Sequence, residues 1–498
     1  MLPAEPENLV LAAAAIPFVA ALAIPLFHNR PNAREAVTLI ASAALAIVVW
    51  SLLTPVLAGA RPEEMGPAIA PGLRLSFKVE PLGLLFALVA STLWIVNSIY
   101  SIGYMRGNDE PRQTVFYVCF AIAIGSTIAI AFAKNLLTLF LAYEALSLST
   151  YPLVTHKAND AAVRAGRVYL GLLLGTSMLL FLPAIIVTWA LAGTTEFTVG
   201  GILAGKADPL VISLLLALYA FGIGKAALMP FHFWLPAAMV APTPVSALLH
   251  AVAVVKAGVF SILKIVVYVF GIDTLASTGA GAWLTWVASF TIVAASLVAL
   301  RQDNLKRCLA YSTVSQLSYV VLGAAILTPL SVIGAAIHIA AHACAKITLF
   351  FAAGAIYTAA HKTEISQLDG IGWRMPWTMG AFAIGALGMI GLPPTAGILG
   401  KWFMLTGAMQ TGQWLPAAVI VLSTILNAAY FLPILHRAYF RNGTTASAGA
   451  ADPDAHDDTH GEAPLPIVLA LVATATMTVL LFLLPSIPHE LAIAMLKG

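Results

Sequence analysis

The sequence predicts an all-α integral membrane protein with about fourteen transmembrane helices. Of its 498 residues, 60% are hydrophobic and only 9% are charged, whereas soluble domains carry about 25% charged residues. The mean hydropathy of +0.93 points the same way. So few charges cannot cover the surface of a water-soluble protein of this size, and lipid must therefore be the solvent for most of that surface.

Fourteen apolar segments, each of about 18–33 residues, are long enough to cross a bilayer. In chain order they are 9–27, 36–58, 81–104, 114–133, 135–154, 167–192, 209–228, 243–271, 282–300, 309–326, 330–358, 377–409, 414–436 and 465–485. The seventh is broken after Lys225, where Pro230 follows, and the twelfth is broken at Pro393 and Pro394. Paired breaks in two halves of a transporter indicate inverted repeats around a midplane ion site, although Pro and Gly are also common in ordinary membrane helices.

These segments divide the chain into five predicted regions. They are three N-terminal helices (1–110), a first inverted five-helix repeat (111–272), a second inverted repeat (281–441), a flexible acidic loop (442–464) and a C-terminal transmembrane helix (465–498). The loop is predicted from its five acids among Gly, Ala and Thr, and we assign it no chemistry.

The basic residues predict the orientation in the membrane. No positive side chain precedes the first apolar run, whereas Arg30 and Arg34 follow it. We therefore expect no cleavable signal and an N-terminus outside the cytoplasm. With that orientation, fourteen of the 25 Lys and Arg residues fall in cytoplasmic loops and six fall on the opposite side. Both termini would then be non-cytoplasmic, and the Ala-rich composition favours a bacterial inner (cell) membrane.

Several ionisable residues lie inside the predicted spans. The lysines are Lys225, Lys256, Lys264, Lys346 and Lys401, the one acid deep in a span is Glu144, and the histidines are His250, His338 and His342. A lysine or acid at a helix centre costs on the order of 2.5–3.5 kcal/mol on insertion scales. Such groups must face one another, face water or change protonation. Membrane proteins rarely keep them without a transport use, so they predict an ion path.

Alternatives exist for some of these residues. We expect Lys264 to lie near a helix end and extend its ammonium group to the interface. The same is a lesser alternative for Lys256 and Lys401. A proton path is favoured over direct sodium coordination because charged lysines repel metal cations, although neutral lysines or carbonyls at the broken helices leave sodium open.

His338, His342 and Lys346 are spaced four residues apart and so form one stripe on a helix. Imidazole accepts a proton at one nitrogen while it donates from the other, which suits a proton relay. The alternative is a set of interhelical hydrogen bonds without transport. The tenth span is also unusually polar, with Ser312, Thr313, Ser315, Gln316, Ser318 and Tyr319.

No cofactor is predicted. The three cysteines, Cys119, Cys308 and Cys344, lack metal-ligand spacing and are interpreted as buried, reduced, apolar fillers. We find no metal site and no flavin, iron–sulfur or nucleotide motif. The net charge of +3 gives no indication of nucleic-acid binding. We therefore expect a transporter subunit, and any redox chemistry would lie on other subunits.

At these residues the sequence resembles the antiporter-like family shared by respiratory complex I, Mrp-type cation/proton antiporters and membrane-bound hydrogenases. The resemblance covers about residues 80–440. It is carried by 141–146 (LAYEAL), Gly224-Lys225, 230–236 (PFHFWLP), 241–250 (APTPVSALLH), 305–316 (LKRCLAYSTVSQ), 342–346 and 391–401. It implies a fold of fourteen helices with two inverted five-helix repeats.

The resemblance also implies roles for the buried residues. Glu144 and Lys225 would form the glutamate–lysine pair of a first half-channel, and Lys256 would be the central lysine beside His250. The residues that would complete the second half-channel are His338, His342, Lys346 and Lys401.

Two departures from the family pattern are visible. Ala237 stands where the family commonly has an acid after Trp-Leu-Pro, so a polar partner near the first break is in doubt. The chain also ends soon after its fourteenth span, without the long lateral helix of one complex I subunit. It therefore resembles a short Mrp-type subunit more than that subunit.

Three function classes follow. The first is a proton-translocating subunit of a multisubunit cation (Na+)/proton antiporter. The second is the proton-pumping membrane subunit of a complex I-type NADH:quinone oxidoreductase or a membrane-bound hydrogenase. The third is an energising partner of a bicarbonate or other uptake system, against which the intact set of buried charges argues. All three imply other membrane subunits as partners, with protons and in some cases Na+ as the transported ions.

Overall fold

The computed structural model describes residues 6–70, 73–441 and 461–497. Within them, twelve helices are long and apolar enough to cross a membrane. Two shorter apolar helices, Pro209–Gly222 and Pro376–Ile390, begin the predicted seventh and twelfth spans, and each stops at the predicted break. The broken helices are thus confirmed, while the total of fourteen spans remains a prediction.

The N-terminal region contains three long helices and a hairpin. Its elements are α1 (Pro6–Ala23), α2 (Pro31–Ser51), α3 (Leu53–Leu57), β1 (Glu63–Ala70), β2 (Leu73–Lys78) and α4 (Pro81–Gly107). The fold is helical as predicted, and the antiparallel β1–β2 hairpin is an additional element that was not predicted. It is tied to the bundle by backbone hydrogen bonds from Lys78 N to Phe132 O (2.7 Å) and from Lys134 N to Ser76 O (2.9 Å).

The next region contains the first broken helix. Its elements are α5 (Gln113–Ala131), α6 (Leu136–Val154), α7 (Asp160–Thr176), α8 (Leu182–Ala192), α9 (Pro209–Gly222), α10 (Trp234–Ala237), α11 (Thr243–Ala247), α12 (Val254–Ile265) and α13 (Ile272–Thr278). One π-helical turn, Ser177–Phe181, joins α7 to α8, and another, Leu248–Val252, leads from α11 towards α12. A third, Val266–Phe270, extends α12.

The second half repeats the pattern of long helices with one break. Its elements are α14 (Ala282–Leu300), α15 (Leu305–Ala325), α16 (Pro329–Ala360), α17 (Ile371–Arg374), α18 (Pro376–Ile390), α19 (Gly397–Gln410), α20 (Trp414–Phe440), α21 (Leu465–Leu483) and α22 (Ser486–Lys497). Helix α22 was not predicted. Most of the predicted acidic loop, residues 442–460, lies outside the described residues.

Side-chain caps start several of these helices. The Asn135 side chain accepts a hydrogen bond from Thr138 N (2.7 Å) and so caps α6. Helix α16 begins with a capping box in which Thr328 and Ser331 each accept a hydrogen bond from the other's backbone amide. These caps satisfy amides that have no partner inside the helix, which matters most where water is scarce.

The charged helices form the centre of the bundle. The span Thr243–Phe270, which contains α11 and α12, is buried throughout, and Pro329–Ala360, which is α16, is buried except at its two ends. Leu305–Ala325, which is α15, is 94% buried, whereas the peripheral α1 and α21 are buried over only a third of their length. The residues that would be costly in lipid therefore face protein.

Candidate functional site

The centre of the site is a contact between α12 and α16. Lys256 on α12 and His342 on α16 are almost completely buried, and Lys256 Nζ contacts His342 Nδ1. An ammonium group here has lost its water, so a partner that can accept its proton stabilises it. The sequence predicted both residues but gave no indication that they touch.

From His342 a row of polar groups runs along α16 towards the second broken helix. The His342 and His338 rings are stacked, with centroids 6.0 Å apart. His338 Nε2 lies 3.0 Å from Gln316 Oε1 on α15, and Gln316 Nε2 donates to Met389 O at 3.2 Å. Lys401 Nζ donates to the same Met389 oxygen at 2.9 Å. Lys256, both histidines, Gln316 and Lys401 therefore form one connected polar chain.

Glycines allow α19 to approach α16 closely enough to complete this chain. A Cβ added to Gly400 would lie 2.8 Å from His338 Cβ, and one added to Gly334 would lie 2.8 Å from Gly400 O. Both distances are too short for real side chains, so larger residues would push Lys401 away from His338. Small residues at such crossings are typical of membrane helix packing.

Lys401 also holds the second helix break together. Its Nζ donates to Met389 O and to Ile390 O (2.8 Å), which are carbonyls at the C-terminal end of α18. The chain turns away at Gly391, whose φ of +87° favours glycine, and passes through Pro393 and Pro394. A cation at the negative end of a helix dipole is favourably placed.

The first break places Lys225 against α6. Lys225 lies in the turn Gly224–Ala226, before Pro230, and its Nζ donates to Tyr143 O (2.9 Å) and Ser147 Oγ (2.5 Å). The ammonium group also lies 3.1 Å from the centroid of the Tyr143 ring. Among the described residues, no ion pair within 4.0 Å joins Lys225 to Glu144, which is adjacent to Tyr143 and within electrostatic range.

Backbone packing connects this first break to α12. A Cβ on Gly258 would lie 2.3 Å from Ala226 N and 2.4 Å from Lys225 C. Helix α12 therefore lies directly against the turn that carries Lys225, only two residues beyond Lys256. Because the two are closely packed, a movement of the first break must also move α12, the helix that carries Lys256.

Two further buried groups face the polar side of α15. Lys346 Nζ contacts Ser312 Oγ and donates to Leu309 O at 3.2 Å. His250 Nδ1 lies 3.2 Å from Thr313 Oγ1. The polar residues of the tenth span therefore bind the predicted ionisable groups. Lys346 bonds to Ser312 and Leu309 and is not part of the row that leads to Lys401. Of the predicted stripe of His338, His342 and Lys346, only the two histidines belong to that row, and His338 makes the contact to Gln316.

Comparison with known proteins identifies the family. Residues 133–427 match the family model described as "NADH:quinone oxidoreductase/Mrp antiporter, TM". The chain belongs to this family. It is an antiporter-like membrane subunit, as the resemblance predicted.

Relatives of this antiporter-like protein include components of different complexes. NADH-quinone oxidoreductase subunit N of Desulforudis audaxviator (strain MP104C) is 34% identical over 380 residues, which are 75% of each chain. A probable K(+)/H(+) antiporter subunit of Rhizobium meliloti (strain 1021) is 29% identical over 74% of this chain and 37% of its own. A chain of the Mrp complex from Dietzia sp. DQ12-45-1b has the same fold, with a TM-score of 0.88, 21% identity and coverage of 99% and 97%.

The structure of this family member corrects one prediction about its lysines. Lys264 does not reach the interface: it is fully buried, pairs with Glu80 Oε2 at 3.0 Å and donates to Ala133 O at 2.7 Å. Snorkelling is likewise wrong for Lys256 and Lys401, which are 0% and 5% exposed. Glu80 immediately precedes α4. In the sequence, only its position next to a predicted span indicated that this carboxylate is buried.

A second buried acid was also missed. Glu35, just outside the predicted second span, is 4% exposed and pairs with Arg106 on α4. The three cysteines are free and buried, as predicted.

Proposed function

We propose that this subunit translocates protons within a multisubunit cation/proton antiporter. The observation that supports this best is the connected chain from Lys256 through His342, His338 and Gln316 to Lys401. Lys256, His342, His338 and Lys401 titrate, Gln316 both donates and accepts hydrogen bonds, and Met389 O accepts from both Gln316 and Lys401. His250 Nε2, His338 Nδ1 and His342 Nε2 have no protein partner among the described residues and are free to bond water.

In this mechanism the charged residues at the first helix break control when a proton enters the polar chain at Lys256. Lys225 is held by Tyr143 O and Ser147 Oγ rather than by direct contact with Glu144. A partner event that moves Glu144 and Lys225 together or apart would change the local electrostatic energy by several kcal/mol. Because Gly258 packs on the Lys225 turn, this change would reach Lys256 and shift its proton towards His342.

The energy for transport would come from other membrane subunits, with which this chain would assemble in the bilayer. Both termini would be outside the cytoplasm of a bacterial cell, as the distribution of basic residues indicates. In a cation/proton antiporter, Na+ would cross either through this chain or through a partner subunit. The transported ion of the path described above is the proton.

A second candidate is the proton-pumping membrane subunit of a complex I-type or hydrogenase-type enzyme. It is favoured by the 34% identity to an NADH-quinone oxidoreductase subunit N over three quarters of both chains. The proteins that copurify with the chain distinguish the two candidates. Redox proteins would support the second, and small membrane subunits with sodium-dependent flux would support the first.

The proposal is tested by proton flux in proteoliposomes that contain the assembled complex. Glu144→Gln and Lys225→Ala should each reduce flux at least tenfold, because each removes one charge of the controlling pair. Lys206→Ala, at an exposed position, is the matched control and should leave flux unchanged. Near-normal flux in both buried variants, with assembly intact, would exclude this mechanism.

A further inference from the structure

A separate polar cavity lies at one end of the bundle. Its volume is about 180 Å³, well above the roughly 10–15 Å³ that one water needs. Three lysines line it and no acidic residue does. We call it the three-lysine pocket and define it by Lys157, Lys306 and Lys362, which follow α6, begin α15 and follow α16.

Both halves of the chain build this pocket. Tyr104 from the end of α4, Thr243 from the start of α11 and Tyr357 from the end of α16 contribute to its polar lining. Thr243 Oγ1 donates to Tyr104 Oη at 3.4 Å. The lysines converge from three parts of the chain that are far apart in sequence. This convergence of like charges has an unfavourable Coulomb energy unless an anion is present.

Nearby groups hold the lysines in place, and the acids among them offset part of the charge. Lys306 Nζ donates to Ala241 O at 2.6 Å, a neutral acceptor. Glu110 lies 4.0 Å from Lys157 Nζ, and burial raises the pKa of its carboxyl above the usual range. Glu364 accepts a hydrogen bond from Asn304 at 3.0 Å. Positive charge remains in excess within the lining itself.

The backbone adds to this positive potential. Helix α15 has 21 residues and starts at the pocket, with Leu305 and Lys306 in the wall. The N-terminus of a helix carries partial positive charge, which favours a phosphate group nearby. The amides of Leu305 and Arg307 are already bonded, to Thr363 O (2.9 Å) and Asn304 Oδ1 (3.1 Å), so the helix contributes mainly through this charge. The tyrosine and threonine hydroxyls offer additional donors.

We propose that the three-lysine pocket binds a phosphate group, carried by an anionic phospholipid headgroup or by free phosphate. Lys157 and Lys362 lie in loops and Lys306 lies in the first turn of α15, and the distribution of basic residues predicts that all three are on the cytoplasmic side. Basic pockets between transmembrane helices on that side are typical sites for acidic headgroups. Lys306 is also within electrostatic range of His250, so the bound phosphate would offset part of the positive field on the buried polar chain.

The test uses the assembled complex and two double variants with equal loss of charge. Lys157→Gln/Lys362→Gln removes two pocket lysines that lie outside the membrane spans. Arg164→Gln/Arg167→Gln is the matched control, because both arginines are exposed on α7 in the same predicted cytoplasmic region. Native mass spectrometry measures retention of phosphatidylglycerol against phosphatidylcholine, and equilibrium dialysis measures binding of labelled inorganic phosphate.

The pocket variant should bind its ligand roughly tenfold or more weakly, since it lacks two of the three lysines that attract the phosphate. The control should change binding less than about threefold. Loss restricted to phosphatidylglycerol assigns the site to a lipid headgroup, and loss restricted to inorganic phosphate assigns it to the free anion. Equal losses in the two variants, or none in the pocket variant, would overturn the proposal. Because the readout is binding, it is independent of proton transport.

Discussion

Gln316 is the residue whose replacement tests the polar chain most directly. It is fully buried and joins His338 Nε2 (3.0 Å) to Met389 O (3.2 Å), the carbonyl that Lys401 also binds. Leucine at this position has a similar length but no polar atom. Gln316→Leu therefore breaks the chain between His338 and Lys401 without removing an ionisable group.

The size of the effect follows from these contacts. Met389 O keeps its hydrogen bond from Lys401, so only His338 Nε2 loses its partner, at a cost of about 1–3 kcal/mol in stability. If proton transfer depends on the same bond, about 1.4 kcal/mol added to the barrier lowers the rate tenfold. We expect proton flux to fall by at least that factor.

The assay is proton uptake by proteoliposomes, after native gels have verified assembly of the complex. Ser318→Ala is the matched control, because Ser318 is buried on the same helix and donates only to its own helix, at Val314 O (3.1 Å). Both variants lose a buried hydrogen bond, but only Gln316→Leu interrupts the chain. If flux in Gln316→Leu remained within twofold of Ser318→Ala, the relay from His338 to Lys401 would be refuted.

Three other substitutions test the packing and electrostatics. Lys264→Met should destabilise the protein by about 3–5 kcal/mol because it leaves Glu80 buried and unpaired. The Glu80→Gln/Lys264→Met double variant should recover part of this lost stability, as measured by thermal unfolding. Gly258→Ala should cost at least about 1–3 kcal/mol, since its Cβ would meet backbone atoms at 2.3 Å, whereas Gly175→Ala, in open space, should be neutral or stabilising in the same thermal unfolding assay. Burial lowers the pKa of His156 from 6.5 to about 4, so the free energy of unfolding should fall as the pH drops from about 6.5 to 4. His156→Gln should remove this part of the pH dependence. An unchanged dependence of stability on pH in this variant would contradict the role given to His156.

The sequence predicted the breaks because their causes are local. At the second break Gly391 takes a φ of +87°, which favours glycine, and Pro393 and Pro394 follow without amide hydrogens, so this cluster ends the helix. The hairpin was missed because it is short and lies between spans, where hydropathy carries no signal. The hairpin is bonded to the connection between α5 and α6, where Phe132 O accepts from Lys78 N and Lys134 N donates to Ser76 O.

The buried ionisable residues were found from sequence, but their contacts were not. A lysine in an apolar segment stands out by composition alone, since every such residue carries an insertion cost. Whether it snorkels or is paired depends on neighbours from other helices. Lys264 was misjudged for this reason, because Glu80 precedes a different helix and only packing of α4 against α12 brings the two together.

The amino-acid sequence by itself determined that the chain spans a membrane, where its helices break and which side chains carry charge into lipid, because hydropathy and backbone restriction are local properties. Only the tertiary structure decided which charges meet. Lys256 and His342 are 86 residues apart, and Gln316 reaches His338 and Met389 from a third helix. Close helix crossings at glycine bring these groups within hydrogen-bond distance, and no local pattern records which helices will cross.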